Sequence, residues 1–552
     1  MNAPVDAYAA KPWLRLYPVA QPASLNREYG DMLSLYRATL RDPDGVAAWY
    51  FDGAMTRRQL EAHGAALAVW LAEAGVGKGD RVSLILQNVP GFLIAMVAAW
   101  KLGAVPVPSN PMYRRDELAK LFADSTPTVV ICHDDHFATV CEGLQKAEQT
   151  AAVLVTTARD FQISGAAPVL PAARQSPSGA QGLTEVLQSH AGRAPTELSL
   201  RPDELGLLLY TSGTTGQPKG AMLSHANLAF NSQTIRDWCG LTGASRILAV
   251  APLFHITGII CHIGAALSAG CPMILHYRFD PAMVVEIIRD RRPTFTIAAI
   301  TAFNALMNAP GVSTDDFTSF DAVYSGGAPI APVLVDAIRS KLGVTIIPAF
   351  GMTETTSPTH IGLAGVASPI DPDTGALAIG IPVFDTEAMI VDDDGRPAPV
   401  GQSGEVWMRG PQIMGGYLNK PDQTAEALVD GWMRSGDVGF MDEAGWFYLI
   451  DRKKDMISAS GFKVWPREVE DVLIAHPAVR EAAVVGEPDP YRGETVKAFI
   501  SFMPGATVGL DDIHAHCRER LASYKCPRRI EVLAEIPKTL TGKIQRAALR
   551  EP

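Results

Sequence analysis

Short apolar runs bounded by turn residues recur along the chain and predict buried strands. They include RVSLILQN from Arg81, VVICH from Val129, ELGLLLYTS from Glu204, RILAVAP from Arg246, CPMILHY from Cys271, TFTIAAI from Thr294, DAVYSGG from Asp321 and VTIIPAFG from Val344. Between them lie longer segments with helical character, such as GFLIAMVAAWKLG from Gly91, which stops on a glycine. Strands apolar on both faces and alternating with helices predict a mostly parallel sheet covered on both sides. From Ile379 to Ile450 the texture changes to short alternating segments with Gly and Asp turns, for instance VDDDGRPAPVGQSGEVWMRG from Val391 and DEAGWFYLI from Asp442, which predicts a small antiparallel, barrel-like layer. A charged cluster, Asp451–Asp455, then precedes a tail with its own α+β pattern. The fold class expected is therefore α/β: a large N-terminal domain of stacked α/β layers over 1–450 with a β-rich part over 379–450, followed by a small α+β domain over 451–552. The Ala-, Pro-, Ser- and Gly-rich stretch near 156–200 reads as a long surface connection. Ile247 to Tyr277 holds no Asp, Glu, Lys or Arg, but Pro252, Pro272, several Gly and three His divide it into strand, loop, helix and strand, so no membrane span is expected.

Composition narrows the classes. The 552 residues are 47% hydrophobic and 19% charged, too apolar for a disordered chain. A net charge of −11 argues against a protein that tracks nucleic-acid phosphates with a basic face. That charge is uneven: residues from Arg452 onward carry +3 and the remainder −14, which marks the tail as a unit of its own. The seven cysteines form no CxxC and follow no zinc spacing, so they read as reduced thiols rather than metal ligands. The opening MNAPVDAYAAKPWLRLYPVA lacks the apolar run of a signal peptide, and a cytoplasmic location is the expectation.

The sharpest chemical signal is YTSGTTGQPKG at Tyr210–Gly220, directly after an apolar strand. Three glycines, four Ser/Thr hydroxyls and Lys219 make a loop with backbone and side-chain donors able to wrap a polyphosphate. It is not a Walker loop, because its lysine follows Pro218 and does not open a helix.

That loop resembles, residue for residue, the signature of the adenylate-forming superfamily of acyl-CoA synthetases, aryl-CoA ligases, adenylation domains and luciferases. Further motifs follow in the family's order: FHITG at Phe254, SGGAP at Ser325, FGMTE at Phe350, GEVWMRG at Gly404, RSGD at Arg434, DRKKD at Asp451, GFKVWPREVE at Gly461 and PKTLTGKIQR at Pro537. The resemblance implies that Thr211, Ser212, Gly213, Thr214, Thr215 and Lys219 hold the phosphates of ATP. It implies that Glu354, with Thr211, holds Mg²⁺, and that Thr353, Phe350 and Gly351 line the nucleotide site. Gly326, Gly327 and Ala328 would lie against the adenine, Asp437 and Arg452 would hold the ribose, and Lys543 would reach the carboxylate and α-phosphate. The same resemblance implies a mobile tail domain that turns about Lys454 and brings Gly461 to the pantetheine of CoA. A non-catalytic nucleotide binder is disfavoured, since Lys219, Glu354, Asp437, Arg452 and Lys543 are all present.

Which acid is activated is read from softer features. His255 stands where amino-acid-activating domains carry an Asp, so an α-amino acid is not expected, and His255 is a candidate gate of the acid pocket. The segment TAFNALMNAP at Thr301 and the tail around HPAVREAAVVGEPDPYRGETVKAF resemble medium- and long-chain fatty-acyl-CoA synthetases. Pro348 and Ala349 replace a Gln or Asn common before the FG pair, and Ser458 and Ser460 replace lysines that flank the hinge segment in aryl relatives. Those departures keep open a carrier protein or an amine as acceptor in place of CoA. A homodimer also stays open.

Overall fold

The computed structural model describes residues 5–19, 21–164, 169–171, 179–211, 218–459, 462–489, 493–506, 508–539 and 543–550. The apolar runs become the strands that the pattern predicts. Arg81–Ile85, Val129–His133 and Ala152–Thr156 are parallel and belong to a five-stranded sheet with Val105–Pro108 on its outer side. A second sheet, fourteen strands among the described residues, has a parallel half ordered Val46–Tyr50, Met273–Leu275, Ile247–Leu248, Phe295–Ala298, Ala322–Gly326 and Ile346–Met352. The helix Pro90–Leu102 is buried almost all round, as its unbroken apolar sequence requires, and closes on Gly103 in the left-handed conformation.

The antiparallel region runs on from this sheet through Ser357–Ile361 and Ala378–Pro382 to Phe447–Arg452, Trp432–Met441, Gly404–Arg409 and Glu387–Val391. Its strand Phe447–Arg452 is still paired with Trp432–Met441 at Asp437↔Arg452 and Val438↔Asp451. The large sheet thus continues to Arg452, just past the expected boundary at 450. A short turn at Lys453–Asp455 follows, and then a separate sheet built from Ile457–Ala459, Phe462–Val464, Val479–Asp489, Gly493–Phe502 and Arg529–Val532. This smaller domain has its own core, including Val464, Leu473, Val484, Ile500, Ile513 and Cys517.

Two expectations are corrected. The stretch near 156–200 is not only a surface connection: Gln181–Gly182 adds a strand to the five-stranded sheet, and the helix Leu183–Ser189 buries Leu183, Val186 and Leu187. Their i, i+3, i+4 spacing was diluted by the Ala- and Ser-rich composition around them. The run ELGLLLYTS does not enter the parallel sheet; Leu205–Thr211 forms an antiparallel hairpin with Lys219–Ser224. Continuous apolarity reports burial on both faces, not the direction of the partner.

Candidate active site

The strands Ile247–Leu248, Phe295–Ala298, Ala322–Gly326 and Ile346–Met352 are parallel neighbours, so their carboxyl ends open on one side of the sheet. His255, Gly327, Ala328, Thr353 and Glu354 lie in the segments that leave these ends, the position where open α/β sheets hold ligands. The glycines of the SGGAP segment have structural reasons. A Cβ on Gly326 would stand 2.4 Å from the carbonyl oxygen of Ala349, its partner on the next strand, and Gly327 has φ +81. Phe350 and Gly351 belong to that neighbouring strand.

Glu354 is fixed by a turn that the rest of the fold over-determines. Thr356 and Ser357 adopt φ 51 and 81, costly for side-chain-bearing residues. The Asn231 amide, from the buried helix His225–Trp238, donates to the carbonyls of Thr356 at 2.6 Å and Pro358 at 3.2 Å, and Thr356 Oγ1 donates to the Gln412 carbonyl at 2.7 Å. Met414 N–H donates to the Glu354 carbonyl at 2.9 Å.

The polyphosphate-type loop reaches Glu354 through a residue that sequence reasoning missed. The strand Lys219–Ser224 pairs with the segment Gly415–Leu418, with Ala221 opposite Tyr417. Tyr417 donates its hydroxyl to Glu354 Oε1 at 2.8 Å, and the Lys219 ammonium sits over the Tyr417 ring, 4.9 Å from its centroid. Burial, with the adjacent Glu354 carboxylate, raises the Tyr417 pKa, so the phenol keeps its proton. The Gly-Gly pair before Tyr417 was the one available signal. Thr211 faces Lys219 across the hairpin, its hydroxyl 3.5 Å from the Lys219 carbonyl oxygen. Ser212, Gly213, Thr214, Thr215 and Gly461 lie outside the described residues.

A second cluster comes from the end of the large sheet. Asp437 and Arg452 are cross-strand partners, 3.4 Å apart at Oδ1 and Nε. Lys543 arrives from the smaller domain, its backbone held locally by Thr539. Burial and then the neighbouring Arg452 lower its pKa, while Asp437 and Glu354 pull it the other way. Burial raises the Asp437 pKa against the pull of Arg452 and Lys543. His255 belongs to the same field: burial first, then Lys543, pushes its pKa down to about 3, so the imidazole is neutral near pH 7. Its Nδ1 caps the short helix Ile256–Gly258 by accepting from Thr257 N–H at 3.3 Å, which leaves the ring proton on Nε2. Lys454 lies on the turn beside this cluster, exposed, with its pKa lowered by partial burial and Arg452. The structure thus brings Glu354, Asp437, Arg452, Lys543 and His255 into one electrostatic neighbourhood, with Lys219 joined to it by Tyr417.

Residues 35–418 match the AMP-binding enzyme family, and 468–543 match the AMP-binding enzyme C-terminal domain. The chain belongs to the AMP-binding enzyme family. Among its relatives is a long-chain-fatty-acid–CoA ligase of Bacillus subtilis, 33% identical with 98% of each chain covered. A feruloyl-CoA synthase of an Amycolatopsis species is 34% identical over 93% of this chain and 97% of its own. The solved anthranilate CoA ligase AuaEII in complex with anthranoyl-AMP superposes with a TM-score of 0.84 at 26% identity, over 96% of this chain and 97% of that one. Within the family the fold is the shared one, a large domain with a mixed sheet followed by a smaller C-terminal domain.

Proposed function

We propose that this AMP-binding enzyme is an AMP-forming acid–thiol ligase for medium- or long-chain fatty acids. A carboxylate oxygen of the acid attacks the α-phosphorus of ATP, pyrophosphate leaves, and the thiol sulfur of CoA then attacks the acyl carbon of acyl-AMP and expels AMP. The observation that carries this reading is the convergence of Lys543 with Glu354 and Asp437, because an anion attacking an anion needs a cation whose attraction grows in the transition state. Lys219 and Thr211 are assigned to the phosphates, with Ser212, Gly213, Thr214 and Thr215; Gly326, Gly327, Ala328, Phe350, Gly351 and Thr353 to the adenosine face; Asp437 and Arg452 to the ribose. His255, neutral and polar at one edge, borders the acid.

Glu354 and Thr211 fit Mg²⁺. One carboxylate and one hydroxyl are hard oxygen donors, which suits an ion that binds mainly through water and substrate phosphate. When bound, Mg²⁺ would supply positive charge to the phosphates. Residues beyond the Lys453–Asp455 turn, including Gly461, are assigned to a domain that swings about Lys454 between the two half-reactions. Its separate sheet and core support that assignment. A cytoplasmic setting suits the seven unpaired thiols. Among the described residues no helix is long and apolar enough to cross a membrane.

The testing experiment is a panel of acids from acetate through C18, with benzoate, cinnamate and ferulate, each incubated with ATP and Mg²⁺ with and without CoA while pyrophosphate and acyl-CoA are followed. Both products for a run of fatty acids is the expected outcome. Turnover of ferulate alone would move the substrate class to aryl acids, and pyrophosphate without acyl-CoA would move the acceptor to a carrier protein or amine.

A further inference from the structure

Arg467, at the start of the helix Pro466–Ile474, is a buried cation with acceptors on both sides of the Lys453–Asp455 turn. It is 4% exposed. Its Nη1 donates to the Leu449 carbonyl at 3.1 Å and its Nη2 to the Ile330 carbonyl at 3.2 Å. Nε lies 3.5 Å from Asp471 Oδ2 within the same helix, and the backbone N–H of Arg467 donates to Asp451 Oδ2 at 2.8 Å. Leu449 and Ile330 belong to the large domain, and Ile330 lies in the loop that follows the strand Ala322–Gly326 and carries Gly327 and Ala328.

A guanidinium carried by the smaller domain whose two Nη groups both donate to carbonyls of the large domain keeps those bonds in one orientation. Rotation of the smaller domain would carry Nη2 away from Ile330 and leave a buried carbonyl and a buried charge to find new partners. The planar fork of arginine reaches two carbonyls at once, which a lysine ammonium on a flexible stem does less well. We propose that Arg467 is a latch that holds the smaller domain in the orientation presenting Lys543, and so is a positioning residue for the first half-reaction. The proposal rests on the reading that Lys543 serves adenylate formation.

The test compares Arg467→Met and Arg467→Lys with the parent enzyme in two separate assays: pyrophosphate release from acid and ATP, and thioester formation from pre-made acyl-adenylate and CoA. Loss of a charged hydrogen-bonding group is expected to slow pyrophosphate release roughly tenfold in Arg467→Met, chiefly in kcat. Thioester formation should stay at least as fast as in the parent, with Arg467→Lys between the two in the first assay. Equal slowing of both half-reactions together with a lowered Tm would reduce Arg467 to a packing residue and overturn the latch, as would unchanged pyrophosphate release. Should Arg467→Met fail to fold, the same split read in Arg467→Lys decides. Lys543→Ala is run alongside: if it loses adenylation while Arg467→Met does not, the latch alone fails, and if it keeps adenylation the underlying reading fails and takes the latch with it.

Discussion

Glu354 and Lys543 share one electrostatic neighbourhood but come from two differently built regions. Glu354 follows a strand in the middle of the large sheet, and its turn is tied by Asn231 and by Gln412, Met414 and Tyr417, two segments far from it in sequence within one domain. Lys543 lies in a short segment of the smaller domain, where Thr539, four residues away, is the partner that holds its backbone. The difference is one of construction: the turn that carries Glu354 is over-determined by long-range contacts, and the segment that carries Lys543 is fastened locally.

The largest expected effect comes from removing the delivered charge. Lys543→Ala should cut adenylate formation by about 10²–10³-fold, as deletion of one transition-state donor does. Thioester formation from pre-made acyl-adenylate should survive, and equal loss of both half-reactions would erase the division between the two regions.

On the rigid side, Tyr417→Phe removes a hydrogen bond to a carboxylate, a contact worth about 1.5–3 kcal/mol. Pyrophosphate release should fall by about 10–100-fold, with a raised requirement for Mg²⁺ measurable by titration. A loss confined to thioester formation would mean that Tyr417 does not act with Glu354 in the first half-reaction.

Acid should also tell the two regions apart. The large domain buries His133, His225, His262, His276 and His360 and half-buries His255, and desolvation holds all six well below the ordinary 6.5, at about 3 to 4. The unfolded chain then takes up these protons first, so their contribution is present above about pH 6.5 and is lost as pH falls toward 4. In the smaller domain, burial raises Glu470 to about 7 against the pull of Arg546, so that group favours the folded state as pH falls from 7 toward 4.5. Between pH 6.5 and 4.5 the large domain should therefore unfold first. The measurement is limited proteolysis with mass spectrometry across that range; simultaneous loss of both domains would refute it.

The smallest effect is expected at Asp393, an exposed carboxylate 2.9 Å from Lys453 and 3.6 Å from Lys463. Such pairs contribute at most about 1 kcal/mol and are screened by salt. Asp393→Ala should change the ratio of the two half-reaction rates by less than about fivefold at low salt, and not at all in high salt. A larger, salt-insensitive change would shift the docking from Arg467 to the surface.

Much of this architecture was legible in the sequence because its signals were local. Continuous apolar runs marked the buried strands, a change of turn chemistry marked the antiparallel region, and a reversal of charge marked the smaller domain. The site residues were reached by resemblance, since Lys543 taken alone is a lysine near the end of a chain. Tyr417 and Arg467 escaped because their roles depend on partners far away in sequence, Glu354 and Ile330, and no periodicity encodes those pairings. The helix Leu183–Ser189 escaped for the opposite reason, a short local signal averaged away by its neighbours.

Tyr417 works as a spacer. One face of its ring receives a cation and its hydroxyl tip grips a carboxylate, so the gap between a positive and a negative pole is set by a covalent aromatic frame. Two flexible side chains left to find each other would collapse into a direct ion pair and quench both charges. With the ring between them Lys219 and Glu354 are held apart, each left with valence to turn toward a third body.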